Sequence, residues 1–209
     1  MFTNVSIRRK TTVLAAIVLL CGAAGMARAE SNTTLANMQT AYNGESNVHL
    51  RYLAFAKQAD AEGYSQVASL FRAAAMAEQL HARNHAEVIR KLGGEPTATI
   101  ETPAVKTTAE NLKAAVAGES YERDTMYPDF IKQAQADRQS DALRSLNYAR
   151  NAEMSHAKLY QQAMDHLDQW RSGTRDFYVC QICGETLTTM PVAKCPSCFN
   201  SKDNFKLVQ

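Results

Sequence analysis

Ala77-Glu78-Gln79-Leu80-His81 and Ala152-Glu153-Met154-Ser155-His156 are two copies of one phrase, and their duplication decides how the chain is read. Three residues is just under one helical turn, so in a helix each Glu projects from the same face as its His. A matching carboxylate stands upstream of each copy, in Gly44-Glu45-Ser46 and Gly118-Glu119-Ser120. The interval from Glu45 to Glu78 is one position shorter than that from Glu119 to Glu153. This pattern predicts two helical hairpins that send two lone Glu and two Glu-x-x-His into one interior. A single Glu-x-x-His is commonplace on a solvated helix face; two in register with two paired Glu are not.

That inventory is the ligand set of ferritin-like di-iron carboxylate bundles. Four or more Glu in a bundle core would be prohibitive as bare anions. Two divalent cations would neutralise them, and mixed carboxylate and imidazole donors suit iron or manganese. Glu78 and Glu153 can bridge two metals, with Glu45 and Glu119 terminal and His81 and His156 completing the set. The bland alternative is a buried ion-pair network, for which Arg51 and Arg123 are the only obvious cationic partners.

Outward from these motifs, periodicity predicts helices over about Thr33–Glu62 (stopped by Gly63), Ser65–Lys91 with Ser65 as N-cap, Thr107–Asp137 and Ser140–Trp170. Residues 93–106, with Pro96 and Pro103, read as a crossover between the halves. Thr107-Thr108-Ala109-Glu110 is a capping box, and Pro128 predicts a kink or break in the third helix. Tyr52/Tyr127, Phe55/Phe130, Lys57/Lys132 and His81/His156 all share one sequence offset, but Glu45 and Glu119 fall one position short of it. The second half therefore carries one extra residue between Glu119 and Tyr127. An insertion inside a helix is the trace of a π-bulge, and Glu122 in that window is a fifth candidate ligand.

The ends of the chain add two further readings. Arg8-Arg9-Lys10, the apolar run from Val13, and Ala27-Arg28-Ala29 read as an export leader over residues 1–29, too short for a comfortable membrane span. Cys21 as a lipoprotein cysteine and Arg8-Arg9 as a twin-arginine signal match less well. Cleavage after Ala29 would leave residues 30–209. It would remove Arg8, Arg9, Lys10 and Arg28 and no acid, taking the net charge from +2 to +2 − 4 = −2. Nothing then argues for a nucleic-acid partner. Cys180-Gln181-Ile182-Cys183 and Cys195-Pro196-Ser197-Cys198 flank the short stretch 184–194, the spacing of a tetrathiolate metal site. Spacing alone leaves zinc and iron open, and pairing with a di-iron bundle favours iron. The division expected is a leader over 1–29, a bundle over 30–171 and a metal-binding tail over 172–209.

These motifs, with Arg51-Tyr52, Glu62-Gly63-Tyr64, Asn111-Leu112-Lys113-Ala114-Ala115, Gly118-Glu119-x-x-Glu122, Tyr127-Pro128, Cys183-Gly184 and Cys195-Pro196, resemble rubrerythrins across residues 33–208. The resemblance implies an all-α ferritin-like four-helix bundle with two irons, followed by a small rubredoxin-like domain with one Fe(Cys)₄. It implies reduction of hydrogen peroxide to water in oxidative stress defence. Glu122 and His81 would exchange as ligands of one iron with redox state, and Tyr52 and Tyr127 would hydrogen-bond ligand carboxylates or face the peroxide. Catalytic roles are thus expected at Glu122, Tyr52 and Tyr127. Metal ligation is expected at Glu45, Glu78, His81, Glu119, Glu122, Glu153 and His156, and at Cys180, Cys183, Cys195 and Cys198.

The chain departs from that pattern in its export signal and in Glu185, which stands where an aromatic is usual. His49 is expected to be structural, and His85 and His166 to lie at the surface or beside the ligands. Helix length is expected to hold the tail far from its own bundle, so that electrons cross between subunits of a head-to-tail homodimer. Export to a periplasm would require an exported or membrane-linked electron donor, which the sequence does not name. The competing function is iron storage with ferroxidase activity, and a third is an electron carrier or redox sensor whose bundle metals never turn over.

Overall fold

The computed structural model describes residues 23–209, with side chains from Thr33 onward. Most of the proposed leader lies outside the described residues. Five helices run through the described residues: α1 (Ala23–Ala61), α2 (Ser65–Lys91), α3 (Thr108–Tyr121), α4 (Tyr127–Ala136) and α5 (Ser140–Asp165). Helix α1 thus begins at Ala23, earlier than the Thr33 expected. None of the described helices is long and apolar enough to cross a membrane.

Local chemistry explains most of the boundaries. Gly63 closes α1 with φ of +79°, which L side chains rarely adopt, while the Tyr64 amide donates to Ala59 O at 2.8 Å. Ser65 is not the N-cap of α2. It is the first helical residue, and its hydroxyl instead donates to the carbonyls of Arg171 and Gly173. The linker after the last helix therefore claims the group that a capping reading assigned to the backbone. Thr107 and Glu110 form the expected capping box at α3. The third predicted helix is broken as expected, into α3 and α4, with a π-helical turn at Glu122–Met126 between them. Pro128 sits in the first turn of α4, where its missing N–H costs little. The fourth helix ends at Asp165, and Leu167–Trp170 is a separate 3₁₀ turn.

Helices α1 and α2 form one hairpin, and α5 packs against α2, α3 and α4. The crossover between the halves has no regular structure but is tied to α1. Asn43 Oδ1 accepts from the Thr99 amide, and Asn47, one turn on, bonds both Thr99 O and the Glu101 amide. Two apolar layers occupy the interior. One gathers Tyr52, Phe55, Phe71, Leu112 and Tyr160, the other Met38, Ile89, Leu146 and Ala149. Along α1, α2 and α5 the Glu and His motifs fall between residues of these layers. Each fully buried Phe, Leu or Ile contributes about 1.5–3 kcal/mol, which helps to offset a polar layer in mid-bundle.

The tail is a three-stranded antiparallel sheet in the order β2-β1-β3, from β1 (Phe177–Cys180), β2 (Thr186–Leu187) and β3 (Phe205–Val208). Tyr178 pairs with Leu187 on one side and Leu207 on the other. The sheet does not stand away from its own bundle, which corrects the expectation drawn from helix length. Asn84 and Arg83 of α2 donate to the carbonyls of Ile182 and Gln181, and Ser155 of α5 donates to Glu185. With Ser65 holding the linker at Gly173, ten extended residues reach about 33 Å. The helix from Ser65 to His81 is only about 24 Å long. The tail can therefore fold back onto mid-bundle.

Candidate metal centre

Glu45 from α1, Glu78 from α2, Glu119 from α3 and Glu153 and His156 from α5 are all fully buried, and His81 is 1% exposed. His81 Nδ1 lies 2.8 Å from Glu78 Oε2 and 3.2 Å from Glu153 Oε1. His156 Nδ1 lies 2.8 Å from Glu153 Oε2 and 3.2 Å from Glu78 Oε1. Each of these two carboxylates thus spans both histidines with one oxygen apiece, the disposition needed to bridge two metals. Tyr52 on α1 donates to Glu119 on α3 at 2.5 Å, and Tyr127 on α4 donates to Glu45 on α1. Each half of the duplication supplies the tyrosine that holds the other half's terminal Glu.

The remaining ring nitrogens of both histidines point into the tail. His81 Nε2 is 3.0 Å from the Cys183 carbonyl, and His156 Nε2 is 3.0 Å from Thr186 Oγ1. A carbonyl can only accept, so His81 Nε2 carries a hydrogen, and Nδ1, which faces the carboxylates, is the atom a metal would take in place of a proton. Gly184 permits this approach: a Cβ there would sit 2.2 Å from His81 Nε2, and its φ is +80°.

Electrostatics without metal are unfavourable. Burial, then the neighbouring carboxylates, raises Glu45, Glu119 and Glu122 well above the usual carboxylate range. Burial also opposes charge on His81, but the carboxylates of Glu153 and Glu78 outweigh it and hold the ring at about 10. Glu45 Oε2, Glu78 Oε1, Glu119 Oε2 and Glu153 Oε1 are buried without a hydrogen-bond partner. Four orphaned oxygens from four helices are what a dinuclear metal site would use. Their donor atoms form two overlapping groups, Glu45/Glu78/His81/Glu153 and Glu78/Glu119/Glu153/His156, each with ligand atoms within 4.8 Å. Neither arginine intervenes. Arg123 pairs with Asp124, and Arg51 lines a cleft beside the crossover.

Glu122 is 8% exposed in the π turn and lies outside both four-residue groups. Burial, and then the charges of Glu119, Glu153 and Glu78, raises its carboxyl. His49 bonds Ala75 O and takes no part, and His166 is an exposed helix cap. His85 is not at the surface. It is fully buried between Ser145 and Tyr127, beside the site.

The four cysteines of the tail are free thiols, with Sγ separations of 3.7 Å for Cys180–Cys198 and 3.6 Å for Cys183–Cys195. A tetrahedron with metal–sulfur bonds of about 2.3 Å has sulfur–sulfur edges of about 3.8 Å, so the cluster fits one tetrathiolate ion. Sequence reasoning missed Gly184, Thr186 and Ser155. The Cys183-Gly184 step was the available signal, but it reads as turn chemistry and carries no sign of a histidine opposite.

The rubrerythrin family model matches residues 36–164. Nigerythrin of Nitratidesulfovibrio vulgaris is 37% identical over 174 residues, spanning 83% of this chain and 85% of that protein. Rubrerythrin-2 of Clostridium acetobutylicum is 33% identical, spanning 81% and 93%. A structure of fully reduced, all-ferrous nigerythrin superposes with a TM-score of 0.76 at 36% identity, covering 83% of this chain and 86% of that one. A bacterioferritin of Desulfovibrio desulfuricans, at 21% identity and TM-score 0.64 over 68% and 84% of the two chains, shares the fold alone. This chain belongs to the rubrerythrin family of ferritin-like, non-haem di-iron oxidoreductases, with a di-iron centre in the bundle and a Cys₄ iron site in the rubredoxin-like tail.

Proposed function

We propose that the chain reduces hydrogen peroxide to water at the bundle centre, with electrons relayed from the tetrathiolate site. The di-iron centre, when loaded, supplies two electrons to the O–O bond. Glu45, Glu119, Glu78 and Glu153 would hold it, the first two kept in place by hydrogen bonds from Tyr127 and Tyr52. Glu122, at the π turn, would be the carboxylate that alternates with His81 in holding one iron. The two tyrosines and Glu122 hold and position protons beside the peroxide. Their apolar surroundings limit water, which strengthens each charge interaction inside.

The observation that carries this reading is the 3.0 Å contact between His81 Nε2 and the Cys183 carbonyl. It joins a site suited to one-electron transfer directly to a candidate ligand of the centre, a feature that an iron store has no use for. The relay runs within one chain and requires no second copy. Stopped-flow mixing of the diferrous protein with peroxide and with oxygen tests the proposal. Peroxide should react faster. Oxygen-driven mineral formation would favour iron storage, and no reaction with either would favour an electron carrier.

Export of the chain, a homodimer in solution, and an exported or membrane-linked electron donor complete the reading. Mass spectrometry of the mature N-terminus and sedimentation check the first two.

A further inference from the structure

Behind Glu45 lies a row of polar groups that metal ligation does not explain. Tyr127 Oη donates to Glu45 Oε1. His85 Nε2 lies 3.2 Å from Tyr127 Oη, and His85 Nδ1 lies 2.8 Å from Ser145 Oγ. Ser145 in turn lines a surface cleft of about 300 Å³ between α2 and α5, with Asn84, Lys91, Asp141 and Arg144 around its mouth. Three consecutive hydrogen bonds therefore connect solvent to a candidate ligand through an otherwise apolar layer containing Ile89 and Leu146.

The bonds also have a direction. Tyr127 has one hydroxyl hydrogen, and Glu45 takes it. The contact with His85 must then be donated by Nε2–H. Full burial disfavours a charged ring, so His85 is neutral, and with its one hydrogen on Nε2 its Nδ1 is a bare acceptor. The Ser145 hydroxyl supplies the hydrogen to it. All three donors consequently point inward, Ser145 to His85 to Tyr127 to Glu45.

We infer that Ser145, His85 and Tyr127 form a proton relay that carries protons from the α2–α5 cleft to the metal centre. Reduction adds negative charge to a buried site, which favours proton uptake there. In one passage the Tyr127 hydrogen moves to Glu45 Oε1 and the His85 Nε2 hydrogen moves to Tyr127 Oη. The Ser145 hydrogen moves to His85 Nδ1, and a water in the cleft replaces it. One proton enters, one is delivered, and no relay group changes its net charge. His85 ends as the Nδ1–H tautomer, so a second passage requires the ring first to lose the Nδ1 hydrogen and regain one at Nε2. No electron travels along this row. The inference rests on the proposed function only in taking the centre to be redox-active; it does not depend on peroxide being the oxidant.

The test therefore omits peroxide. Electrons are injected into the iron-loaded chain from a photoexcited ruthenium complex, and proton uptake is followed with a pH-indicator dye. In the native protein, uptake should keep pace with reduction. His85→Gln can still hydrogen-bond but cannot shuttle a proton, and uptake should lag by about tenfold or more, while reduction itself is unchanged. Positioned proton transfer is worth on the order of 10²–10⁴-fold in rate, so a tenfold lag is a lenient threshold. Uptake at the native rate in His85→Gln would overturn the relay. Ser145→Val closes the outer end without touching the ring or Tyr127, and it decides the matter if His85→Gln fails to hold iron: a lag supports the relay, a native rate overturns it. A third readout needs no variant. Nitrogen-15 spectra of the zinc-loaded chain should show His85 as the Nε2–H tautomer, and an Nδ1–H tautomer would contradict the direction assigned here. Loss of peroxide reactivity in the native protein would sink the proposed function and leave these three measurements as they are.

Discussion

The main-chain carbonyl of Cys183 accepts a hydrogen bond from His81 Nε2 at 3.0 Å, so one loop both offers a thiolate to the tail's metal and fixes the ring of a candidate ligand in the bundle. Thr186, three residues on, holds His156 Nε2 in the same way. The β1–β2 turn is thus a shared outer wall for both histidines. Outer partners of this kind set ring orientation and tautomer, and their loss typically costs about 10–100-fold in metal affinity or activity.

Gly184→Ala tests that wall. The added Cβ would sit 2.2 Å from His81 Nε2, at a backbone φ of +80°, so either the turn or the ring must move. We expect a loss of about 1–3 kcal/mol in stability, read as a lower melting temperature. Electron transfer from the tail to the bundle should slow as well. A variant with native melting and native transfer would show that the contact is incidental.

Replacing Cys180 and Cys183 with Ser separates the two metal sites. The thiolate-to-iron absorption should disappear, and turnover with an external donor should fall steeply. A single turnover of the chemically reduced bundle with peroxide should persist. If that single turnover vanished too, the division of labour between tail and bundle would be wrong.

Proton competition gives a third expectation. Glu45, Glu119 and Glu122 are raised by burial, and His81 is held at about 10, so the metal-free centre carries protons at neutral pH that the unfolded chain would have released. A metal must displace them. Affinity of the bundle for a divalent ion should therefore rise with pH through neutrality and keep rising to about 10, where His81 is half deprotonated. Calorimetry in buffers of different ionisation enthalpy counts the released protons, with the tail loaded beforehand. Affinity independent of pH across neutrality would mean that the ligands are already bare.

The duplicated motifs made the bundle and most of its centre legible. Glu and His at three-residue spacing must share a helix face, and four buried carboxylates demand cations. Even the π turn was legible, because one inserted residue shifts Glu119 against an otherwise constant offset between the halves. Placement of the tail was not legible. It depends on Ser65 binding the linker carbonyls and on Gly184 lying under His81, both contacts between segments far apart in the chain. The burial of His85 was hidden for a related reason. A lone helical histidine gives no sign of its burial when its partners, Ser145 and Tyr127, come from the other half of the chain.

Glu122 is the most informative single substitution. It stands at the start of the π turn, which rotates this stretch relative to a regular helix and leaves it 8% exposed at the edge of the centre. Glu122→Gln keeps its size and removes a negative charge. If Glu122 ligates only in the oxidised state, that state loses an anionic partner, while the reduced state, held through His81, is nearly unchanged. A side chain that favours one of two states shifts the equilibrium by its differential interaction and no more. The bundle potential should rise, by about 60 mV per electron for each tenfold loss of differential stabilisation. Reoxidation by peroxide should slow, and diferrous iron should stay bound. Equal loss of iron from both states would make Glu122 an ordinary ligand. An unchanged potential and rate would return it to the role of a carboxylate at the bundle edge.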